Sequence, residues 1–274
     1  MQNQEQTVNT IGTLETLKTE FFGEHNEILV VTLNRPEAMN AMNTQLIIEA
    51  LNLFREQAYN DQLRCVIITG AGEKAFSAGG DLKERNGMSD STWKKQHHLI
   101  EDKILAIKDF PVPVIAAVEG FAIGGGCEMA LMTDFIIASE TAKFGLAEIK
   151  RGILPGAGGL QNLARAVGTR RAKELIYTGR LFDVQQAYEW GMVNRVVPKG
   201  EALQVALQIA NEIVESAPIP TKLAKVAVSR GVEVDFHTAY QLDITAYNVT
   251  VPTEDRLEGV AAFNEKRKPN WKNR

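Results

Sequence analysis

Three short runs, Cys65-Val-Ile-Ile-Thr69, Val114–Val118 and Phe135–Ala138, are apolar at nearly every position. A strand with one wet face alternates apolar and polar residues, so runs without alternation must be covered on both faces. Stretches of helical spacing lie before and between them. In Asn43–Tyr59, for example, Leu46, Ile47, Ala50, Leu51 and Phe54 share one face behind an Asn43 cap. Buried strands alternating with helices require a mostly parallel sheet with helices packed on it, an α/β fold. Upstream, Leu14–Phe22 and Glu27–Leu33 read as two strands joined by a turn at 23–26.

After about residue 197 the strand signal stops, and 202–214, 218–229, 236–248 and 253–266 read as successive helices. The expected organisation is a flexible tail over 1–13, a core carrying the site over 14–200, and a helical region over 201–274. No internal sequence repeat stands out. With 45% hydrophobic and 23% charged residues, the 274-residue chain can bury a large core. A net charge of −4 gives no footprint for nucleic acid or membrane surfaces. No apolar run reaches the ~18 residues of a membrane span, and Met1–Thr7 lacks a signal-peptide layout. Cys65 and Cys127 lie in apolar runs without metal-ligand spacing, as two reduced, buried thiols would. A cytoplasmic protein is expected.

Chemistry enters with two glycine turns, Phe76-Ser-Ala-Gly-Gly-Asp81 and Ile123-Gly-Gly-Gly-Cys-Glu128. Without a Cβ, such turns let a ligand approach the backbone closely. The second leads into a helix, whose first N–H groups are unpaired and whose dipole favours negative charge. N–H donors ~2.7–3.1 Å from a carbonyl oxygen stabilise charge developing there, and losing one raises the barrier by about 3–4 kcal/mol. Taken alone, such glycines are more often ordinary tight turns.

Glu128 is placed by helical spacing on an apolar stripe with Leu131, Met132 and Phe135, where a carboxylate needs a partner or a function. Glu148, in Phe144-Gly-Leu-Ala-Glu148, has Arg151 nearby as an ordinary ion-pair partner. Two carboxylates in one partly dry cavity split their pKa values, so one donates a proton where the other accepts. Other signals are weaker. Gly70-Ala-Gly-Glu-Lys-Ala75 nearly matches a dinucleotide fingerprint, but no helix opens there. His97 and His98, beside Lys94 and Lys95, read as a solvated helix face, and Trp93 either caps the core or lines a pocket.

In order, the chain carries Leu33-Asn-Arg-Pro-Glu-Ala-Met-Asn40, Ala75-Phe-Ser-Ala-Gly-Gly-Asp-Leu-Lys83, Pro113-Val-Ile-Ala-Ala-Val-Glu-Gly120, Gly124-Gly-Gly-Cys-Glu128, Phe144-Gly-Leu-Ala-Glu148 and Pro155-Gly-Ala-Gly-Gly159. This set resembles the crotonase, or enoyl-CoA hydratase, superfamily from about Leu14 to Trp271. The resemblance implies a spiral of ββα units and a C-terminal helical region that builds a homotrimer, commonly paired into a hexamer. It implies an acyl-CoA thioester substrate and no metal or redox cofactor, coenzyme A being part of the substrate.

By matching position, Gly80 and Gly125 would supply the oxyanion-hole N–H groups, and Glu128 and Glu148 would be the catalytic glutamates. Ala38, Ala78, Asp81, Leu82 and Lys83 match substrate- or CoA-contacting positions, with Lys83 towards the phosphates. Tyr247 and Lys266 match positions that reach the nucleotide end from a neighbouring subunit.

Possession of both glutamates resembles the hydratases of trans-2-enoyl thioesters. The alternatives are a double-bond isomerase, a specialised hydratase or dehydratase, and a non-catalytic acyl-CoA- or RNA-binding protein. Asp81–Met88 is similar to methylglutaconyl-CoA hydratases and Phe263–Trp271 to carnitinyl-CoA dehydratases; neither fixes the substrate. The chain departs from the common pattern at Ala147 (often proline), Leu160 (often threonine) and Glu37 (sometimes basic). The segment Met88–Leu105 is expected to build part of the acyl pocket.

Overall fold

The computed structural model describes residues 14–274; the tail expected over 1–13 lies outside the described residues. Strands β1 (Leu17–Phe22) and β2 (Ile28–Leu33) pair antiparallel, Leu17 opposite Leu33. Helix α1 (Thr44–Gln57) starts where expected, the Asn43 side chain accepting from the Leu46 N–H at 3.0 Å.

Three similar turns of chain follow. The first is β3 (Cys65–Gly70), β4 (Ala75–Ser77), α2 (Leu82–Arg85) and α3 (Asp90–Lys108). The second is β5 (Val114–Val118), β6 (Phe121–Ile123) and α4 (Gly125–Met132). The third is β7 (Phe135–Ser139) and β8 (Lys143–Gly145), followed by α5 (Gly159–Val167) and α6 (Thr169–Thr178). Strand β9 (Phe182–Asp183), helix α7 (Val184–Glu189) and strand β10 (Arg195–Val197) complete the two sheets.

Each turn lays its first strand into a six-stranded sheet, order β1-β2-β3-β5-β7-β10. It lays its second into a four-stranded sheet, order β4-β6-β8-β9. Within each sheet the stacked strands run parallel, Ile115 lying between Ile67 and Phe135. This is the ββα spiral of the crotonase fold.

Both faces of the large sheet are covered, which accounts for the unbroken apolar runs. Leu29, Val31, Val66, Ile68 and Val118 face the main core with Leu46 and Phe54 of α1 and Ile104 of α3. Their alternates Ile28, Val30, Cys65, Ile67, Ile115 and Ile137 face α8 (Ala202–Val214), whose Ala202, Ala206 and Ala210 allow close approach. Each large aliphatic side chain so buried contributes about 1.5–3 kcal/mol. The change of character near residue 197 is therefore a change from strands to helices, not the edge of the core.

Beyond α8 come α9 (Pro218–Gly231), α10 (Phe236–Thr250) and α11 (Glu254–Glu265). Lys225 ties α9 down, bonding the Val112 carbonyl at 3.0 Å and pairing with Asp134 at 2.8 Å. Phe135 does not share a helix with Glu128, because α4 ends at Met132. Thr133 turns extended, and the Asp134 N–H joins the ladder at the Val114 carbonyl. Among the described residues no helix is long and apolar enough to cross a membrane.

Candidate active site

Because β4 and β6 are parallel neighbours, the turns that follow them lie side by side. Gly79, at φ +89°, has no room for a side chain: a Cβ would sit 2.8 Å from the Ile123 carbonyl oxygen and 2.9 Å from the Gly125 nitrogen. The flanking backbone is pinned, with Met42 N–H on the Gly79 carbonyl at 2.7 Å and Gly124 N–H on the Gly145 carbonyl at 2.8 Å. Between these anchors the N–H groups of Gly80 and Gly125 meet no acceptor among the described residues. Both glycines line a cavity of about 400 Å³.

Two carboxylates enter the same cavity. Glu128 is in the first turn of α4, only 3% exposed, and its Oε1 accepts from the N–H groups of Ala157 (2.8 Å) and Gly159 (3.0 Å). Glu148 opens a 3-10 turn, Glu148–Arg151, after β8. Its Oε2 is buried without a hydrogen-bond partner among the described residues. The ordinary ion pair with Arg151 does not form, the guanidinium bonding the Ala147 carbonyl at 3.4 Å instead. Gly124, at φ +55°, borders this carboxylate so closely that a Cβ would lie 2.8 Å from its Oε1.

Known proteins repeat this arrangement of chain. The family model "Enoyl-CoA hydratase/isomerase" matches residues 23–274. The chain belongs to the enoyl-CoA hydratase/isomerase family. It is 41% identical to the short-chain-enoyl-CoA hydratase of Clostridium acetobutylicum, over 92% of this chain and 97% of that protein. It is 43% identical to the mitochondrial enoyl-CoA hydratase domain-containing protein 2 of Mus musculus, over 91% of this chain and 86% of that one. The crystal structure of an enoyl-CoA hydratase from Bacillus anthracis superposes with TM-score 0.92 at 43% identity, covering 95% of this chain and 100% of that chain.

In this hydratase/isomerase scaffold the two glutamates differ in electrostatics. Burial raises the pKa of Glu128, while the Ala157 and Gly159 N–H groups and the Lys103 charge oppose the rise. Burial, together with the neighbouring Glu128 charge, pushes Glu148 up to about 7. One carboxylate thus has donors that favour its anion, and the other sits near half-protonation at neutral pH. The thiols Cys65 and Cys127 are buried and raised well above the ordinary range, which leaves them unreactive.

Of the positions singled out by family resemblance, Ala78, Gly80, Leu82, Gly125, Glu128 and Glu148 line the cavity. Ala38 does not line the cavity; it lies one residue from the Met39 carbonyl that receives the Ala78 N–H. Asp81 is turned away from the lining: it pairs with Arg35 at 2.9 Å and caps α2 through the Lys83 and Glu84 N–H groups. Lys83 is exposed and borders a shallow hollow with Leu82 and Trp93. Tyr247 and Lys266 are exposed on the C-terminal helical region and do not line this chain's cavity.

Met42, Arg85, His97 and Lys103 also line the cavity, beyond the positions that family resemblance supplies. For the α3 residues a signal existed: Trp93, His97, Ile100 and Ile104 follow helical spacing of four, three and four. His97 is not a purely solvated group, since a Cβ on Gly156 would meet its Nε2 at 2.9 Å. Ala147 lines the cavity, Leu160 packs on the main core, and Glu37 is exposed.

Proposed function

We propose that this protein hydrates 2-enoyl-CoA thioesters, adding water reversibly and syn across a trans double bond. The observation that carries this reading is the meeting, in one cavity, of two backbone donors unpaired among the described residues with a buried and a half-buried carboxylate of unequal proton affinity. The thioester oxygen accepts from Gly80 and Gly125, and electron withdrawal makes the β-carbon electrophilic. Glu128, its anion supported by two N–H groups, takes a proton from water as the oxygen bonds the β-carbon. The electron pair of the double bond moves to the α-carbon, where Glu148 delivers its proton. The proton gained by Glu128 is returned, through water, to Glu148 before the next turnover.

The name of the Clostridium relative supports a short acyl group. Coenzyme A belongs to the substrate, and no resident cofactor takes part in the scheme. Lys83, and Tyr247 and Lys266 of a neighbouring subunit, are the proposed contacts to its phosphate and nucleotide end.

The test is loss of enoyl-thioester absorbance from crotonyl-CoA, with 3-hydroxybutyryl-CoA identified as product. Glu128→Gln and Glu148→Gln are each expected to lower kcat by about 10²–10⁴-fold with the fold intact. Full activity in either variant overturns the assignment of that residue. A 3-enoyl thioester converted to the 2-enoyl isomer, with no hydration of either, would establish an isomerase instead.

A further inference from the structure

Lys103 has no accessible surface, yet it lines the cavity with Glu128 and Met42. Its only hydrogen-bond partner among the described residues is the Met42 Sδ, at 3.0 Å. A thioether is a weak acceptor; Glu128 favours the ammonium only from beyond ion-pair distance, and an ammonium taken out of water without a contacting anion costs several kcal/mol. Burial lowers the lysine to about 8, which still leaves it mostly protonated at neutral pH. A pocket meant only for hydrocarbon would be more stable with an apolar side chain here.

Met42 also fixes where this charge lies. Its Sδ covers the ammonium, while its Cε is the atom a Cβ on Gly125 would meet at 2.8 Å. Lys103 and the oxyanion turn are therefore separated by the width of one unbranched side chain. The Met42 backbone is held on both sides by Gly79 and Asp81, but its thioether arm has freely turning single bonds and can swing aside. The other cations are differently placed: Arg85 bonds Gln96 at 2.8 Å and stacks over Trp93 at 4.6 Å, and Lys94 and Arg151 are exposed.

We propose that the acyl group carries a second carboxylate a few carbons from the thioester, seated on the Lys103 ammonium in place of Met42 Sδ. The substrate class is then a mono-CoA thioester of an unsaturated dicarboxylic acid. The inference rests on the hydratase reading only in taking this cavity as the acyl site. A charge-assisted contact to the carboxylate supplies the direct anionic partner that Lys103 lacks among the described residues.

The experiment compares glutaconyl-CoA with crotonyl-CoA, which differ by one terminal carboxylate, in the wild-type protein and in Lys103→Met. The expected wild-type kcat/KM for glutaconyl-CoA exceeds that for crotonyl-CoA by about 10- to 100-fold, and the ratio collapses in the variant. Wild-type preference for crotonyl-CoA, or an equal fall for both substrates in the variant, overturns the proposal. If the variant fails to fold by its melting curve, the wild-type ratio alone decides. If neither thioester is hydrated, the hydratase reading fails separately. Calorimetry with the unreactive glutaryl-CoA and butyryl-CoA then decides the carboxylate seat: tighter glutaryl-CoA binding upholds it, and equal affinity removes it.

Discussion

Glu148 is kept in a site that resists its charge. Its Oε2 is buried without a partner among the described residues, and burial and Glu128 raise its pKa from 4.5 to about 7. In an unfolded chain it ionises near 4.5, so between these values the folded form holds the extra proton. Stability is therefore lost as pH rises from about 4.5 to about 7, and the loss persists above. Glu148→Gln keeps the shape and cannot ionise. Its melting temperature should exceed that of the wild type by more at pH 8 than at pH 5, by roughly 2–4 °C per kcal/mol recovered. A difference independent of pH would refute the account. In catalysis the sign is related: the donor must be protonated, so kcat/KM for hydration should fall as pH passes upward through about 7. A profile flat to pH 9 would remove Glu148 as donor.

At the scale of elements, the proposed oxyanion turn depends on how tightly α4 meets β4. Gly126 is buried against the Ser77 backbone, and a Cβ there would collide with the Ser77 carbonyl. Gly126→Ala must push the start of α4 away from β4, separating Gly125 from Gly80. Overpacking of this kind costs about 1–3 kcal/mol, and a displaced oxyanion donor about 10²–10³-fold in kcat. Chemical denaturation and crotonyl-CoA hydration together check it; full activity in a folded variant would show that the spacing tolerates a methyl group.

The same elements show what was legible beforehand. Val114–Val118 and Ala202–Val214 have the limits read from the sequence, because an unbroken apolar run marks the first and sustained helical spacing the second. Strands β4, β6 and β8 are three residues each, too short to carry a pattern. The repeat of the spiral lives in their register, not in similar residues. The ordered motifs pointed to Glu128, Glu148, Gly80 and Gly125, and all four line the cavity. Lys103 was not legible, since a lysine is ordinarily solvated and only the packing of α3 buries it.

For the whole molecule, the C-terminal helices are unfinished business for a lone chain. Val232, just past α9, is 78% exposed, Phe236 of α10 76% and Phe263 of α11 82%, with Val226, Tyr247 and Val260 also largely open on these three helices. Apolar surface of this kind marks an interaction face. The family resemblance makes the expected partner a second and third copy of this chain, closing a ring. Tyr247 and Lys266, which do not line this chain's own cavity, then have a use: a neighbouring subunit would bring them to the coenzyme A. Sedimentation equilibrium should give a mass of three or six chains, and Phe236→Asp with Phe263→Asp should dissociate it. If neighbours supply nucleotide contacts, dissociation should raise KM for crotonyl-CoA far more than it lowers kcat, because Gly80, Gly125, Glu128 and Glu148 all belong to one chain. A monomeric wild-type protein, or dissociated chains with an unchanged KM, would show that the site needs no neighbour.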